Sequence, residues 1–167
     1  GFGRYGEVSR QMFDLCETLT PYGQRSSVDE GYLDLAPCGF KSTEDVERAA
    51  RGLQRRIWDE LQIPVSIGLA SNKLVAQIAS KLRKPRGFVV VPVGGESAFL
   101  APLPIGKLPG VGTKTEEHLV AHGITHVRDL FARDESELAA ICGRQWRELL
   151  AAARGEDDRP VETAEED

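Results

Sequence analysis

Between residues 43 and 61 apolar side chains return every three or four positions, at Val46, Ala49, Ala50, Leu53, Ile57 and Leu61. Ser42 stands just before them with Asp45 three residues on, so the spacing predicts a capped amphipathic helix over 43–61. A second stripe, Val8, Met12, Leu15, Cys16 and Leu19, predicts a helix over 7–19 that Pro21 and Gly23 close. From Arg25 to Leu35 the pattern alternates at period two, which predicts a half-buried strand with a turn or strand-end break at Asp29-Glu30-Gly31. Residues 62–70 read as a buried strand, Ser71 or Asn72 as an N-cap, and Leu74, Ile78 and Leu82 as the stripe of a short helix. Phe88 to Val91 is a further strand. From Leu15 to Val91 the predicted order is therefore helix, strand, helix, strand, helix, strand.

After residue 91 the pattern changes. Gly94-Gly95 and the prolines at 92, 102, 104 and 109 interrupt the chain, and beyond them only helical signals remain, over 113–121, 125–132, 134–141 and 144–153. The expected organisation is α+β: sheet and packed helices over 1–94, a small all-helical part over 95–155, and an acidic linker or tail over 156–167.

Composition sets the outer bounds. The chain has 167 residues, 41% hydrophobic and 28% charged, which is ordinary globular usage and excludes a fibrous or wholly disordered protein. No apolar run approaches the roughly 18 residues of a membrane span, and no leader pattern precedes the first helix. Cys16, Cys38 and Cys142 are too scattered for a disulfide framework, which fits a cytoplasmic setting. The net charge of −5 hides a division: residues 156–167 carry −6 and the preceding 155 residues +1. Within the latter, Lys73, Lys81, Arg83, Lys84 and Arg86 stand between Gly68 and Gly95 without a single acid.

Three features carry candidate chemistry. Asp29 and Glu30 are adjacent carboxylates in an apolar alternating stretch. Two such charges roughly 5 Å apart repel by about 3 kcal/mol at an effective dielectric of about 20, so a partly buried site keeps both ionised only beside a cation. Magnesium, which takes one or two protein carboxylates with phosphate and water, is the natural partner; a solvated hairpin turn would carry the same tripeptide. Lys73, Gln77, Lys81 and Lys84 fall at near-helical spacing opposite Leu74, Ile78 and Leu82, a basic ridge for a polyanion such as a nucleoside triphosphate or a nucleic-acid backbone. Leu108-Pro-Gly-Val-Gly-Thr-Lys-Thr115 is a glycine-rich turn opening a helix, where Gly110 and Gly112 let backbone N–H groups approach an anion. His118, His122 and His126 repeat every four residues, but Gly123 should end their helix before His126, so no metal site is expected there. Trp58 and Trp146 read as packing anchors.

Ser27-Val-Asp-Glu-Gly-Tyr-Leu-Asp-Leu35, then Ser66-Ile-Gly-Leu-Ala-Ser-Asn-Lys-Leu-Val-Ala-Gln-Ile-Ala-Ser-Lys-Leu-Arg-Lys-Pro-Arg-Gly87, then Leu108-Pro-Gly-Val-Gly112 together resemble, in order and spacing, the Y-family translesion DNA polymerases. The resemblance implies that residues 1–94 are a partial polymerase palm with a mixed sheet, and 95–155 a thumb with a helix-hairpin-helix motif. It implies that Asp29 and Glu30 bind two magnesium ions as the catalytic acids, and that Lys84 contacts the incoming dNTP. Gly110, Gly112, Thr113, Lys114, Lys73 and Lys81 would contact primer-template DNA. The family's first metal-binding palm strand, its fingers and its little finger have no counterpart in this sequence, so a fragment with little or no activity of its own is expected. The chain is expected to act as a monomer, with any sliding-clamp contact made by segments outside it. A non-catalytic DNA-binding paralogue with the same palm and thumb is the second reading, and retention of Asp29 and Glu30 speaks against it.

Overall fold

In the computed structural model, which describes residues 2–163 and their side chains from residue 6, the first apolar stripe forms α1 (Phe2–Leu19) and the second α2 (Thr43–Leu61). The Ser42 hydroxyl accepts the Asp45 N–H, as the capping pattern requires. At the far end Gln62 turns left-handed, φ 56°, and its N–H reaches the Trp58 carbonyl at 2.9 Å. Met12, Leu53 and Ile57 are buried between the two helices, with Phe13, Leu15, Cys16, Leu19 and Leu33 packed around them. Each such side chain contributes roughly 1.5–3 kcal/mol of burial. Burial also pushes the Cys16 thiol up to about 11.

The stretch over 25–35, read as a strand with a turn or break at Asp29-Glu30-Gly31, is a hairpin whose turn does hold both acids. β1 (Gly23–Arg25) pairs antiparallel with β2 (Gly31–Leu33), Arg25 opposite Gly31, and residues 26–30 form the turn. β3 (Ile67–Leu69) lies parallel to β4 (Phe88–Val90), Ile67 opposite Phe88, with α3 (Lys73–Ser80) between them in the chain. Where a mixed sheet is expected, the described residues form two separate two-stranded pairs.

Two compact units result. One holds the chain up to Leu69, Ser80–Val90 and the segment from Arg159; the other holds Ala70–Ala79 and Val91–Asp158. The sequence division after residue 94 thus lies close to the junction at Val90 and Val91, but α3 falls almost wholly in the second unit. There it joins α4 (Glu96–Leu100), α5 (Thr113–Ala121), α6 (Glu135–Cys142) and α7 (Trp146–Ala153), with short 3-10 turns at Ile105–Lys107, Val127–Ala132 and Gly143–Gln145. Val75, Leu100, Ile105, Leu108, Leu119, Ile124, Val127, Leu130 and Leu138 make its core, each at most 1% exposed. The helix expected over 125–132 is a 3-10 segment, Val127–Ala132, with Asp129 closing a capping box at its start. Its carboxylate accepts the N–H groups of His126 and Thr125, which holds it below the usual carboxylate range.

The acidic stretch is not a free tail at its start. Asp157 accepts the Leu74 N–H at 2.9 Å, and Asn72 both caps Val75 and donates to the Gly155 carbonyl at 2.7 Å. A carboxylate at the start of α3 satisfies an orphan helix donor and the helix dipole together. Glu165, Glu166 and Asp167 lie outside the described residues. No described helix is long and apolar enough to cross a membrane.

Candidate active site and nucleic-acid interface

In the first unit the hairpin turn places Asp29 and Glu30 side by side, both exposed. Backbone bonds fix it: the N–H groups of Ser26 and Ser27 both donate to the Glu30 carbonyl, at 2.9 and 3.1 Å. The Ser27 hydroxyl donates to Asp29 Oδ1 at 3.0 Å. From α1, the Ser9 hydroxyl donates to the Val28 carbonyl. Arg25 completes the cradle, Nη2 donating to Ser9 Oγ at 2.7 Å and Nε to the Ser27 carbonyl at 3.3 Å, with its guanidinium 4.8 Å from the centre of the Phe13 ring. The edge of that ring stands where a side chain at position 31 would go, which is why glycine follows the acids. The two acids thus stand in succession on a turn, not on a regular strand that would send them to opposite faces.

Both acids offer hard oxygen donors, and among the described residues no group of three acidic, histidine or cysteine side chains surrounds a possible ion site. Two carboxylates suit magnesium, which fills the rest of its octahedral shell with water and phosphate oxygens. Lys81 Nζ stands 3.9 Å from Glu30 Oε1, with both side chains nearly half exposed. Such a surface pair stabilises by about 0–1 kcal/mol, so Glu30 is readily released to a stronger cation.

Lys84 is exposed on a tight loop tied to the same unit. The Lys84–Pro85 peptide is cis, and Arg86, at φ 54°, lays its guanidinium over the Trp58 ring at 4.4 Å. Gly87 anchors the loop: its N–H donates to Ser66 Oγ at 3.1 Å, and its carbonyl accepts from Ile67 N and Gln54 Nε2, each at 2.9 Å. Trp58 is therefore a packing anchor, as read from the sequence, though for an arginine rather than for the core.

The basic ridge is not a single helix face. α3 ends at Ser80, ahead of Lys81, and Lys73 is buried at 7% exposure in its first turn beside Leu74 and Val75. Lys73 therefore does not present a solvated cation, which corrects its placement among exposed DNA contacts. The periodicity missed this because the second unit covers the start of α3 on more than one side.

In the second unit the glycine turn is exposed from Pro109 to Thr115 except at Val111. Gly110 takes φ +90°, and α5 starts at Thr113 with no side chain capping it, so its first N–H groups have no intrahelical partner, and exposed Lys114 lies among them. The flanks are clasped by Ile105 N to the Thr125 carbonyl and Val127 N to the Leu103 carbonyl, each at 2.9 Å. The histidines are held by local hydrogen bonds: His118 bonds the Ile141 carbonyl, His122 the His118 carbonyl, and His126 the Thr125 hydroxyl.

Ser9, Arg25 and Gln54 escaped the sequence reading. Nothing in a polar residue on a helix face, or at a strand end, tells which loop it will hold.

Comparison with known proteins follows the same two stretches. Residues 1–81 match the impB/mucB/samB family, and residues 94–124 match the IMS family HHH motif, leaving the loop of Lys84 between them. The DNA polymerase IV of Opitutus terrae is 69% identical over 166 residues, covering 99% of this chain and 42% of that protein. That of Desulfatibacillum aliphaticivorans is 41% identical, covering 95% of this chain and 40% of its own. The chain thus spans about two-fifths of the curated relatives it matches. Among solved structures, DinB from Sulfolobus solfataricus superposes with a TM-score of 0.89 at 29% identity, over 98% of this chain and 48% of that one. An insertion ternary complex of Dbh DNA polymerase gives 0.88 at 29% identity, over 97% and 47%.

Proposed function

The chain belongs to the impB/mucB/samB family, the Y-family DNA polymerases, and on that premise we propose that it is the palm and thumb of a template-directed translesion DNA polymerase. The observation that carries this is the acidic turn, which bears Asp29 and Glu30 in succession and whose backbone is held by bonds within itself and to α1. A palm at 1–94 and a thumb at 95–155 follow the family's order, although α3 packs with the second unit.

Asp29 and Glu30 would hold the two magnesium ions of such a site. Held there, such ions would offset the charge that develops as the primer's terminal hydroxyl attacks the α-phosphate of a dNTP and pyrophosphate departs. The protein's share is to orient and neutralise. The turn fixes the backbone that carries both acids before substrate arrives, and Lys84 supplies a mobile ammonium to the triphosphate. Lys81 keeps Glu30 paired until a stronger cation takes it. Gly110, Gly112, Thr113 and Lys114 would grip primer phosphates through N–H groups and charge, without reading sequence. The partners are then primer-template DNA and dNTP, met by a cytoplasmic monomer. Alone, the segment is expected to incorporate little or nothing.

Primer extension by a full-length polymerase carrying this sequence tests the reading. A chelator should abolish extension, and Lys84→Ala should raise the nucleotide KM about tenfold with a smaller change in kcat, since a charged hydrogen bond is lost. An unchanged KM removes Lys84 from the triphosphate site; DNA binding without any extension leaves only the non-catalytic reading.

The hairpin is tested by two glycines that differ in what they require. Gly112 has an ordinary φ of −79°, and a Cβ there meets nothing within 4 Å. Gly112→Ala should cost about 0.5 kcal/mol as a poorer N-cap yet weaken DNA binding about tenfold, because the added methyl stands in the way of a ligand. Gly110→Ala must also adopt φ +90°, so it should lose about 1 kcal/mol of stability besides. Equal DNA affinity for wild type and Gly112→Ala would place the phosphates elsewhere.

A further inference from the structure

The proposed metal site needs carboxylates in fixed positions, yet Asp29 and Glu30 sit on an exposed five-residue turn between strands of three residues each. Such a turn would ordinarily move freely. Here every residue of it is tied. Ser26 and Ser27 hold the Glu30 carbonyl, Ser27 holds the Asp29 side chain, Ser9 holds the Val28 carbonyl, and Arg25 holds the Ser27 carbonyl. Only two of these partners come from outside the turn, and they bond to each other, Arg25 Nη2 to Ser9 Oγ at 2.7 Å.

Ser9 is 6% exposed on α1, in a helix whose neighbouring Met12 belongs to the core. Its hydroxyl accepts from Arg25 and donates to the Val28 carbonyl, so its single donor is spent on the turn. Arg25 spreads its fork over Ser9 and the Ser27 carbonyl while stacking on Phe13, another α1 residue. The arrangement transmits the rigidity of α1 to the two residues immediately before Asp29.

We infer that Ser9 and Arg25 are positioning residues for the acidic turn, setting the geometry in which Asp29 and Glu30 take up a divalent cation. The inference rests on the reading of those two acids as metal ligands. Neither residue touches the ion or substrate; each acts through the backbone of residues 27 and 28, as groups outside a metal's ligand shell commonly do.

The test uses a full-length polymerase carrying this sequence, with Ser9→Ala, Arg25→Gln, Arg25→Lys and Asp29→Asn. Manganese binding is followed directly by electron paramagnetic resonance, alongside the magnesium concentration for half-maximal extension, primer-template affinity and thermal unfolding. Ser9→Ala and Arg25→Gln should each weaken manganese binding and raise the magnesium requirement on the order of tenfold. DNA affinity should be unchanged. Arg25→Lys keeps the charge but cannot span both partners, so it should behave as Arg25→Gln does. Arg25 is exposed, so its variants carry the test even if Ser9→Ala fails to fold. Asp29→Asn separates the two levels. If it abolishes extension while the Arg25 variants bind metal as wild type does, the positioning role alone is overturned. Full rescue by Arg25→Lys overturns it too, since charge and not geometry would then be at work. If Asp29→Asn extends normally, the metal reading falls and the inference with it.

Discussion

Asp29→Ala and Glu30→Ala are each expected to reduce nucleotide incorporation about 1000-fold, the loss of about 4 kcal/mol of transition-state charge stabilisation. Folding and DNA affinity should scarcely change. Both side chains are exposed, and the Glu30 pair with Lys81, at 3.9 Å between half-exposed groups, contributes about 0–1 kcal/mol. DNA affinity should persist because the proposed phosphate grip lies at the hairpin of residues 109–115, built on another unit with its own core. The two variants should differ in one respect. Asp29→Ala also removes the acceptor of the Ser27 hydroxyl, whereas Glu30→Ala leaves all turn bonds in place, since Glu30 contributes its carbonyl to them. The checks are single-turnover incorporation and DNA binding on the same preparations; wild-type incorporation by either folded variant would remove that acid from the metal site.

How far the sequence could be read depended on whether local or distant contacts decide each position. α2 was legible end to end, because Ser42 caps it and its stripe buries one continuous face, chiefly against α1. The acidic pair was legible as chemistry, since adjacent carboxylates in an apolar stretch need a cation. The turn at Asp29-Glu30-Gly31 was legible too, but not its extent: alternation runs on from Arg25 to Leu35, while the strands are only three residues each and the turn already begins at Ser26. Lys73 was misplaced for a related reason. Periodicity assigns one buried face to a helix, while α3 is buried at Lys73, Leu74, Val75, Ile78 and Ala79, more than one face can hold. Asp157 shows the same limit from the other side, reading as tail charge in the sequence and serving as a helix cap through a contact with Leu74.

Gly87→Ala should be the most damaging single methyl group in the first unit. A Cβ at Gly87 would stand 2.2 Å from the Arg83 carbonyl oxygen and 2.7 Å from its carbon, both backbone atoms that no rotamer change can move aside. The loop must therefore open. Opening it pulls Gly87 away from Ser66, Ile67 and Gln54, bonds that seat the start of β4 beside β3. Overpacking of about 1–3 kcal/mol and net losses of roughly 1 kcal/mol per hydrogen bond give an expected destabilisation of about 3 kcal/mol. Gly52→Ala is the matching control: Gly52 lies exposed inside α2, a Cβ there meets nothing within 4 Å, and alanine should stabilise by about 0.5–1 kcal/mol. The same chemical change thus has opposite signs at two sites 35 positions apart in the chain. Function should follow the loop and not the charge: Gly87→Ala should raise the nucleotide KM much as Lys84→Ala does, because Lys84 rides on the segment that Gly87 anchors. Denaturant unfolding and steady-state KM on the two variants decide it. Equal stabilities would show that the loop yields without cost, and a normal KM in a destabilised Gly87→Ala protein would show that Lys84 reaches its target from a loosened loop as well as from a fixed one.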